Sequence, residues 1–221
     1  MLAFASAVGL GYRYLETDVH VTSDGVLVTF HDDILDLATD CNGPINDVPW
    51  SKVSRARVQG EPIPLLEDVL GAWPEARVNI DAKSDAAVAA IVEVLERTAA
   101  YGRVCVGSFV DSRVDRLREL TGGRVCTWMG RREILRLRLA SLGLPGSRFA
   151  PCAQVPVRHG RWPVVDRRFV DAAHRRGVAV QVWTIDDRVE MERLLDLGVD
   201  GILSDRPTLL KQVMVERRLW A

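Results

Sequence analysis

Glu16, Asp18 and His20 alternate along one extended run, so a strand over 12–22 places all three on a single face. Two carboxylates held there among Tyr14, Leu15, Val19 and Val21 repel each other unless a positive charge lies between them. A hard divalent cation, Mg2+ or Ca2+, supplies that charge, because both take carboxylate oxygens. A solvated hairpin carrying exposed acids satisfies the same alternation, and the turn that follows weighs against it. A second strand-like run, 26–30, is separated from the first only by Ser23, Asp24 and Gly25. That is too short for a crossover helix, so the second run returns antiparallel as a hairpin. With Ser23-Asp24 as a two-residue loop, His31 stands across from Glu16; with Asp24-Gly25, it stands across from Asp18. A three-residue loop with a bulge loses the direct facing but keeps the imidazole near. An imidazole beside ionised carboxylates has a raised pKa and can donate a proton near neutral pH.

A second cluster, Asn79-Ile80-Asp81-Ala82-Lys83, ends the next strand-like run and puts Asp81 and Lys83 on one face. Lys83 is one of only three lysines, with Lys52 and Lys211, in a chain that otherwise uses arginine. Its compact ammonium suits a phosphate oxygen. Three carboxylates, a histidine and a lysine amount to a phosphoryl-transfer site. The metal acts as Lewis acid, the lysine binds a non-bridging oxygen, and the histidine donates a proton. The competing reading of Asp81 and Lys83 is a plain surface ion pair. Trp183 follows the alternating Val178, Val180 and Val182, where it packs either against a substrate's apolar portion or into the core. His20 shares the acidic face but sits further up the hairpin, while His159 and His174 read as surface residues.

The elements that must position these groups follow a regular pattern. Apolar β-branched runs begin near Val78, Val104, Val125, Phe149, Val178 and Gly201, with helical patterns between them at 86–100, 113–120, 133–141, 168–176 and 188–197. A strand recurs every 20–30 residues or so, the size of one βα unit, and repeated units build a parallel sheet. Nearly every strand run ends in polar residues: Asp81 and Lys83, Ser108, Thr127, Gln154, Thr184, Ser204 and Asp205. That distribution favours a closed (β/α)8 barrel of TIM type over an open sheet, and no Gly-rich phosphate loop is present. Counting the hairpin's first strand gives seven parallel strands where such a barrel has eight. Residues 1–9 read as the tail of a helix, so the expectation is a single barrel domain over 1–221 lacking its first strand, with a β-hairpin rising from the first remaining one.

Composition narrows the function classes. The chain has 221 residues, 48% hydrophobic and 27% charged, with a net charge of -1, which offers no electrostatic footprint for nucleic acid or an anionic membrane. No run approaches the roughly 18–20 apolar residues of a membrane span. Residues 1–7 lack the basic and apolar regions of a secretory signal, so a cytoplasmic location is the default. The scattered Cys41, Cys105, Cys126 and Cys152 read as reduced core thiols rather than a disulfide frame or zinc site.

The same residues carry a resemblance. Glu16-Thr17-Asp18-Val19-His20, Thr22-Ser23-Asp24-Gly25-Val26 and Phe30-His31-Asp32 resemble the core motif of the glycerophosphodiester phosphodiesterase family. Ile63-Pro64-Leu65-Leu66-Glu67, Asn79 to Lys83, Ser108-Phe109, Val182-Trp183-Thr184 and Gly198 to Asp205 continue it in family order. The resemblance implies a TIM-type barrel and metal-dependent cleavage of a small-molecule phosphodiester to glycerol 3-phosphate and an alcohol. It implies Glu16, Asp18 and Asp81 as ligands of Mg2+ or Ca2+, His31 as an acid/base residue, and Lys83 and Trp183 as pocket residues. The family commonly has glutamate where this chain has Asp81. Its opening His-Arg-Gly strand, with a second catalytic histidine and a phosphate-binding arginine, has no counterpart here; Arg158-His159-Gly160 lies elsewhere. An inactive remnant that binds metal or ligand without turnover is therefore the alternative to an enzyme, with open strand edges favouring a homo-oligomer. The Asp-x-Lys motif also resembles phospholipase D-like members of the same superfamily.

Overall fold

The computed structural model describes residues 1–144 and 150–220, and the chain packs as two compact units, Met1–Cys126 and Thr127–Ala221. The first unit opens with helix α1 (Leu2–Gly9), strand β1 (Tyr14–Val21) and strand β2 (Leu27–Thr29). A single-turn helix α2 (Trp50–Val53) and a small ribbon of β3 (Arg57–Val58) and β4 (Glu61–Pro62) interrupt the long loop that follows. Helix α3 (Leu66–Ala72), β5 (Arg77–Ala82), α4 (Asp85–Thr98), β6 (Val104–Gly107), α5 (Asp111–Thr121) and β7 (Cys126–Thr127) then alternate. The main sheet runs β2-β1-β5-β6-β7, with β1, β5 and β6 parallel and β2 antiparallel to β1.

Alternation decides which face of this sheet is dry. Leu15, Val19, Val21, Val78, Ile80, Ala82, Val104 and Val106 point one way and pack on Val88, Ile91 and Leu95 of α4 and Leu117 of α5. Each fully buried aliphatic side chain contributes about 1.5–3 kcal/mol. Helix α4 forms where this stripe recurs at three- and four-residue steps; Ser84 caps its start by accepting from the Ala87 N–H at 3.2 Å. The opposite face carries Glu16, Asp18, Asn79, Asp81 and Cys105, the polar half of the same pleat.

The connection from β1 to β2 settles the register. The pairs are Val19 with Thr29, His20 with Val28 and Val21 with Leu27, and the Thr22 N–H donates to the Val26 carbonyl at 2.9 Å across a Ser23-Asp24-Gly25 loop. Gly25 takes φ 87°, the left-handed conformation this turn requires. Neither two-residue loop forms. Phe30, not His31, stands opposite Asp18, its N–H donating to the Asp18 carbonyl at 3.0 Å. The long loop beyond is held by its own apolar cluster of Val28, Phe30, Leu35, Ile45, Val48, Val53, Ala56 and Ile63.

The second unit contains α6 (Arg131–Ser141), β8 (Cys152–Pro156), a ribbon of β9 (Arg158–His159) and β10 (Trp162–Pro163), α7 (Arg167–His174), β11 (Ala179–Trp183), α8 (Arg188–Leu197), β12 (Gly201–Ile202) and α9 (Pro207–Glu216). Its sheet runs β12-β11-β8, all parallel. The strand expected from Phe149 begins at Cys152, and Phe149 itself lies outside the described residues. His159 is exposed, as expected, in a ribbon where residues 158–159 find antiparallel partners at 162–163. Gln154 donates to Gln181 at 2.9 Å; Gly201 leaves the room, since a Cβ there would lie 3.1 Å from Gln181 Cγ.

Asp166 does two jobs in this unit. It caps α7 by accepting from the Phe169 N–H at 2.8 Å, and it takes a two-pronged ion pair from Arg138 of α6 at 2.8 and 2.7 Å. The Arg138 hydrogen bonds hold its carboxyl below the usual carboxylate range. Asp166→Ala is expected to lower unfolding free energy by about 2 kcal/mol, from a lost cap and a part-exposed bidentate pair. Chemical denaturation checks it. The Asp166 contribution is present above the unfolded carboxylate pKa and disappears as pH falls through the depressed folded value, so wild type and variant converge in acid.

Candidate active site

On the polar face of the first unit, the parallel register sets Asp18 of β1 directly beside Asp81 of β5. Two residues beyond Asp81 on the same face, Lys83 folds back so that its Nζ lies 2.7 Å from Asp18 Oδ1 and 3.2 Å from Asp81 Oδ2. The three side chains are only 16%, 7% and 22% exposed, so the pairing is well shielded from water. Burial pushes the Asp81 carboxyl above its ordinary range, and the Lys83 charge offsets only part of that. Burial also works to lower the Lys83 pKa, yet the hydrogen bond to Asp18 and the two carboxylate charges win and raise it. Lys83 is therefore a fixed ammonium at neutral pH.

The backbone under this lysine is pinned. Arg113, in the first turn of α5, donates to the Lys83 carbonyl at 2.8 Å and the Ala82 carbonyl at 3.2 Å, while its Nε holds Asp85 at 2.6 Å. Ser108 Oγ donates to the same Ala82 carbonyl at 2.8 Å. Carbonyls at the end of β5 that lack strand partners are satisfied by side chains from β6's far end and α5. Sequence reasoning picked out Ser108 but missed Arg113; the only signal for it was a cation in the first turn of the helix after Ser108, where dipole logic favours an anion.

Glu16 lies on the same face as Asp18, two residues earlier and thus about 7 Å along the strand, opposite Asn79 and exposed. Among the described residues no cluster of three or more His, Cys, Asp or Glu side chains is gathered as a metal cage. The positive charge between Asp18 and Asp81 is Lys83, where the sequence suggested a metal ion. The donor set nevertheless fits a hard divalent cation. Asp81 Oδ1 is buried with no hydrogen-bond partner, Asp18 stands beside it, and Glu16 follows on the same face.

The hairpin takes the three-residue loop among the three alternatives, so the direct facing of His31 with Glu16 or Asp18 that either two-residue loop gives is lost. A shift of one residue reverses the face on which a side chain falls. The His31 ring is 77% exposed, and its Nδ1 lies 2.7 Å from Asp32 Oδ1. His20 is the histidine that goes inside: it is fully buried, and its Nε2–H donates to the His31 carbonyl at 3.3 Å. Burial lowers its pKa, so it stays neutral and ties down the segment that carries His31. Trp183 closes β11 in the second unit, on the face opposite Val180 and Val182. No helix among the described residues is long and apolar enough to cross a membrane.

The chain is similar to known proteins over nearly its whole length. Residues 1–209 match the model of the glycerophosphoryl diester phosphodiesterase family. A Mycobacterium tuberculosis protein named "Probable glycerophosphodiester phosphodiesterase 2" is 40% identical over 100% of this chain and 86% of its own length. The glycerophosphoryl diester phosphodiesterase domain of another M. tuberculosis protein superposes with a TM-score of 0.81 at 23% identity, covering 96% of this chain and 91% of that one. An Oleispira antarctica phosphodiesterase, solved with the product sn-glycerol-3-phosphate, gives a TM-score of 0.78 at 21% identity over 96% and 89% of the two chains. Its α/β fold is thus that of solved phosphodiesterases, and a match over nearly its whole length makes the chain a member of the glycerophosphoryl diester phosphodiesterase family.

Proposed function

We propose that the protein is a metal-dependent phosphodiesterase of TIM-barrel type that cleaves small glycerophosphodiesters to glycerol 3-phosphate and an alcohol. The observation that supports it best is the Asp18–Lys83–Asp81 arrangement, an ammonium fixed between two carboxylates on the polar face of the sheet. Glu16, Asp18 and Asp81 would hold a divalent ion, which when bound supplies Lewis-acid polarisation of the phosphoryl oxygens. Lys83 then turns its ammonium to a non-bridging phosphate oxygen and neutralises the charge that builds there. Ser108 and Arg113 keep the end of β5 from moving as it does so.

His31 handles the proton. Asp32 accepts from its Nδ1–H and orients the ring; with a proton on both ring nitrogens, the imidazolium gives the one on Nε2 to the departing alkoxide and is left neutral with Nδ1–H still on Asp32. His20 positions His31 by holding its carbonyl. The test is release of sn-glycerol 3-phosphate from glycerophosphocholine by the purified chain. Turnover is expected with Mg2+ or Ca2+, to stop on chelation and to return on adding the ion back. A folded protein that binds the ion but turns over no diester would instead identify a binding protein.

A further inference from the structure

Two of the four cysteines are not core residues. Cys105 lies on β6 and Cys126 on β7, neighbours in the main sheet. Each follows a core valine, Val104 or Val125, so both thiols point to the polar face. Cys126 is exposed and Cys105 half-buried, whereas Cys41 packs against the loop cluster and Cys152 is buried. The Cys126 and Cys105 sulfurs lie 3.2 Å apart in a thiol–thiol hydrogen bond. Neighbouring strands run about 4.7–4.9 Å apart, inside the 4.4–6.8 Å or so between Cα atoms that a disulfide spans.

We propose that Cys105 and Cys126 are a dithiol oxidation site, converted by hydrogen peroxide to an intramolecular disulfide. The Cys126 sulfur attacks one peroxide oxygen; an S–O bond forms, the O–O bond breaks, and the leaving hydroxide takes a proton to become water. The Cys105 sulfur then attacks the Cys126 sulfenic acid; the S–S bond forms, the S–O bond breaks and a second water leaves. Two thiols lose two electrons and one peroxide gains them. Cys126 is the attacking group because it is the exposed member, and the hydrogen bond with Cys105 draws its pKa down to about 7. A partner thiol at contact distance resolves the sulfenic acid before it is oxidised further. This site stands independently of the phosphodiesterase reading, since it needs neither metal nor substrate.

The test is peptide mapping of the full chain after stoichiometric hydrogen peroxide, quenching and alkylation. The expected result is a Cys105–Cys126 linked peptide that dithiothreitol separates, with Cys41 and Cys152 still alkylated. Cys126→Ser is expected to slow peroxide consumption about ten-fold, and Cys105→Ser to leave Cys126 as sulfenic or sulfinic acid. Over-oxidised Cys126 with no link in the wild-type chain, or a link through Cys41 or Cys152, overturns the proposal. The wild-type map decides this alone if either serine variant folds poorly.

Discussion

Lys83→Met is expected to lower kcat/KM for glycerophosphocholine by about 10²–10³-fold, the usual cost of removing one group aimed at charge developing in a transition state. The same substitution has a second effect that a remote surface lysine would not produce. Asp18 and Asp81 are side by side in the parallel register, and Lys83 is the cation recorded between them. Without it two shielded carboxylates face each other, and the metal-free protein should lose about 3 kcal/mol of unfolding free energy at neutral pH. Lowering the pH restores much of this, because one carboxyl takes up a proton; a divalent cation restores it by replacing the missing charge. Neither treatment restores turnover. Lys83→Arg should regain stability but only part of the activity, because a planar guanidinium does not present the same point charge to phosphate. Steady-state kinetics and denaturant titration with and without Mg2+ check both halves. A variant that regains activity as it regains stability would remove Lys83 from the chemistry.

What could be read from the residues alone, and what could not, follows from the range of the forces involved. Period-two alternation is local, and it placed Glu16 with Asp18, and Asp81 with Lys83, on shared faces before any tertiary fact was known. Helices α4, α5 and α8 were legible for the same reason, their apolar stripes recurring at helical spacing and two of them stopping at glycines that take φ 57° and 83°. The direct pairing of Asp18 with Asp81 was not legible, because the strand offset depends on how the intervening helix and loops pack. His31 shows how little separates success from failure. With all three of Ser23-Asp24-Gly25 in the turn, it falls on the exposed side beside Asp32 and not on the acidic face, whereas His20, fixed on that face by alternation along β1, is fully buried whatever the loop length. Arg113 and the Cys105–Cys126 pair were missed because both depend on neighbours a full βα unit away. Of the two readings open for Lys83, the ion pair with Asp81 forms, and Asp18 joins it as a second carboxylate partner that the spacing alone did not indicate.

Asp81→Asn is expected to reduce turnover by about a thousand-fold while leaving unfolding free energy within about 1 kcal/mol of wild type. The reasoning starts from the cost the native residue carries. Asp81 is buried, its Oδ1 has no hydrogen-bond partner, and burial has raised its pKa despite the lysine at 3.2 Å. An ionised carboxylate there is poorly solvated by the protein alone. The amide keeps a dipole for Lys83, loses the Coulombic attraction and escapes the desolvation of a full charge; the raised carboxyl pKa says the second effect is the larger, so the variant is slightly the more stable. Activity falls all the same, because a neutral amide is a far weaker ligand for a hard cation. The pH dependence separates the two effects. In metal-free wild type the raised carboxyl pKa means the folded state holds its proton longer than the unfolded chain does. Stability therefore falls as pH rises from the ordinary carboxylate range up through the raised value, and levels off above it. Asp81→Asn lacks that decline, so the two curves lie close at low pH, where Asp81 is itself neutral, and separate toward neutrality, with the variant the more stable by up to about 1 kcal/mol. Such residues cost the fold stability and persist at functional sites. An Asp81→Asn protein that unfolds several kcal/mol more easily, and whose activity falls only in step with its folded fraction, would make Asp81 a structural partner of Lys83 and not a ligand.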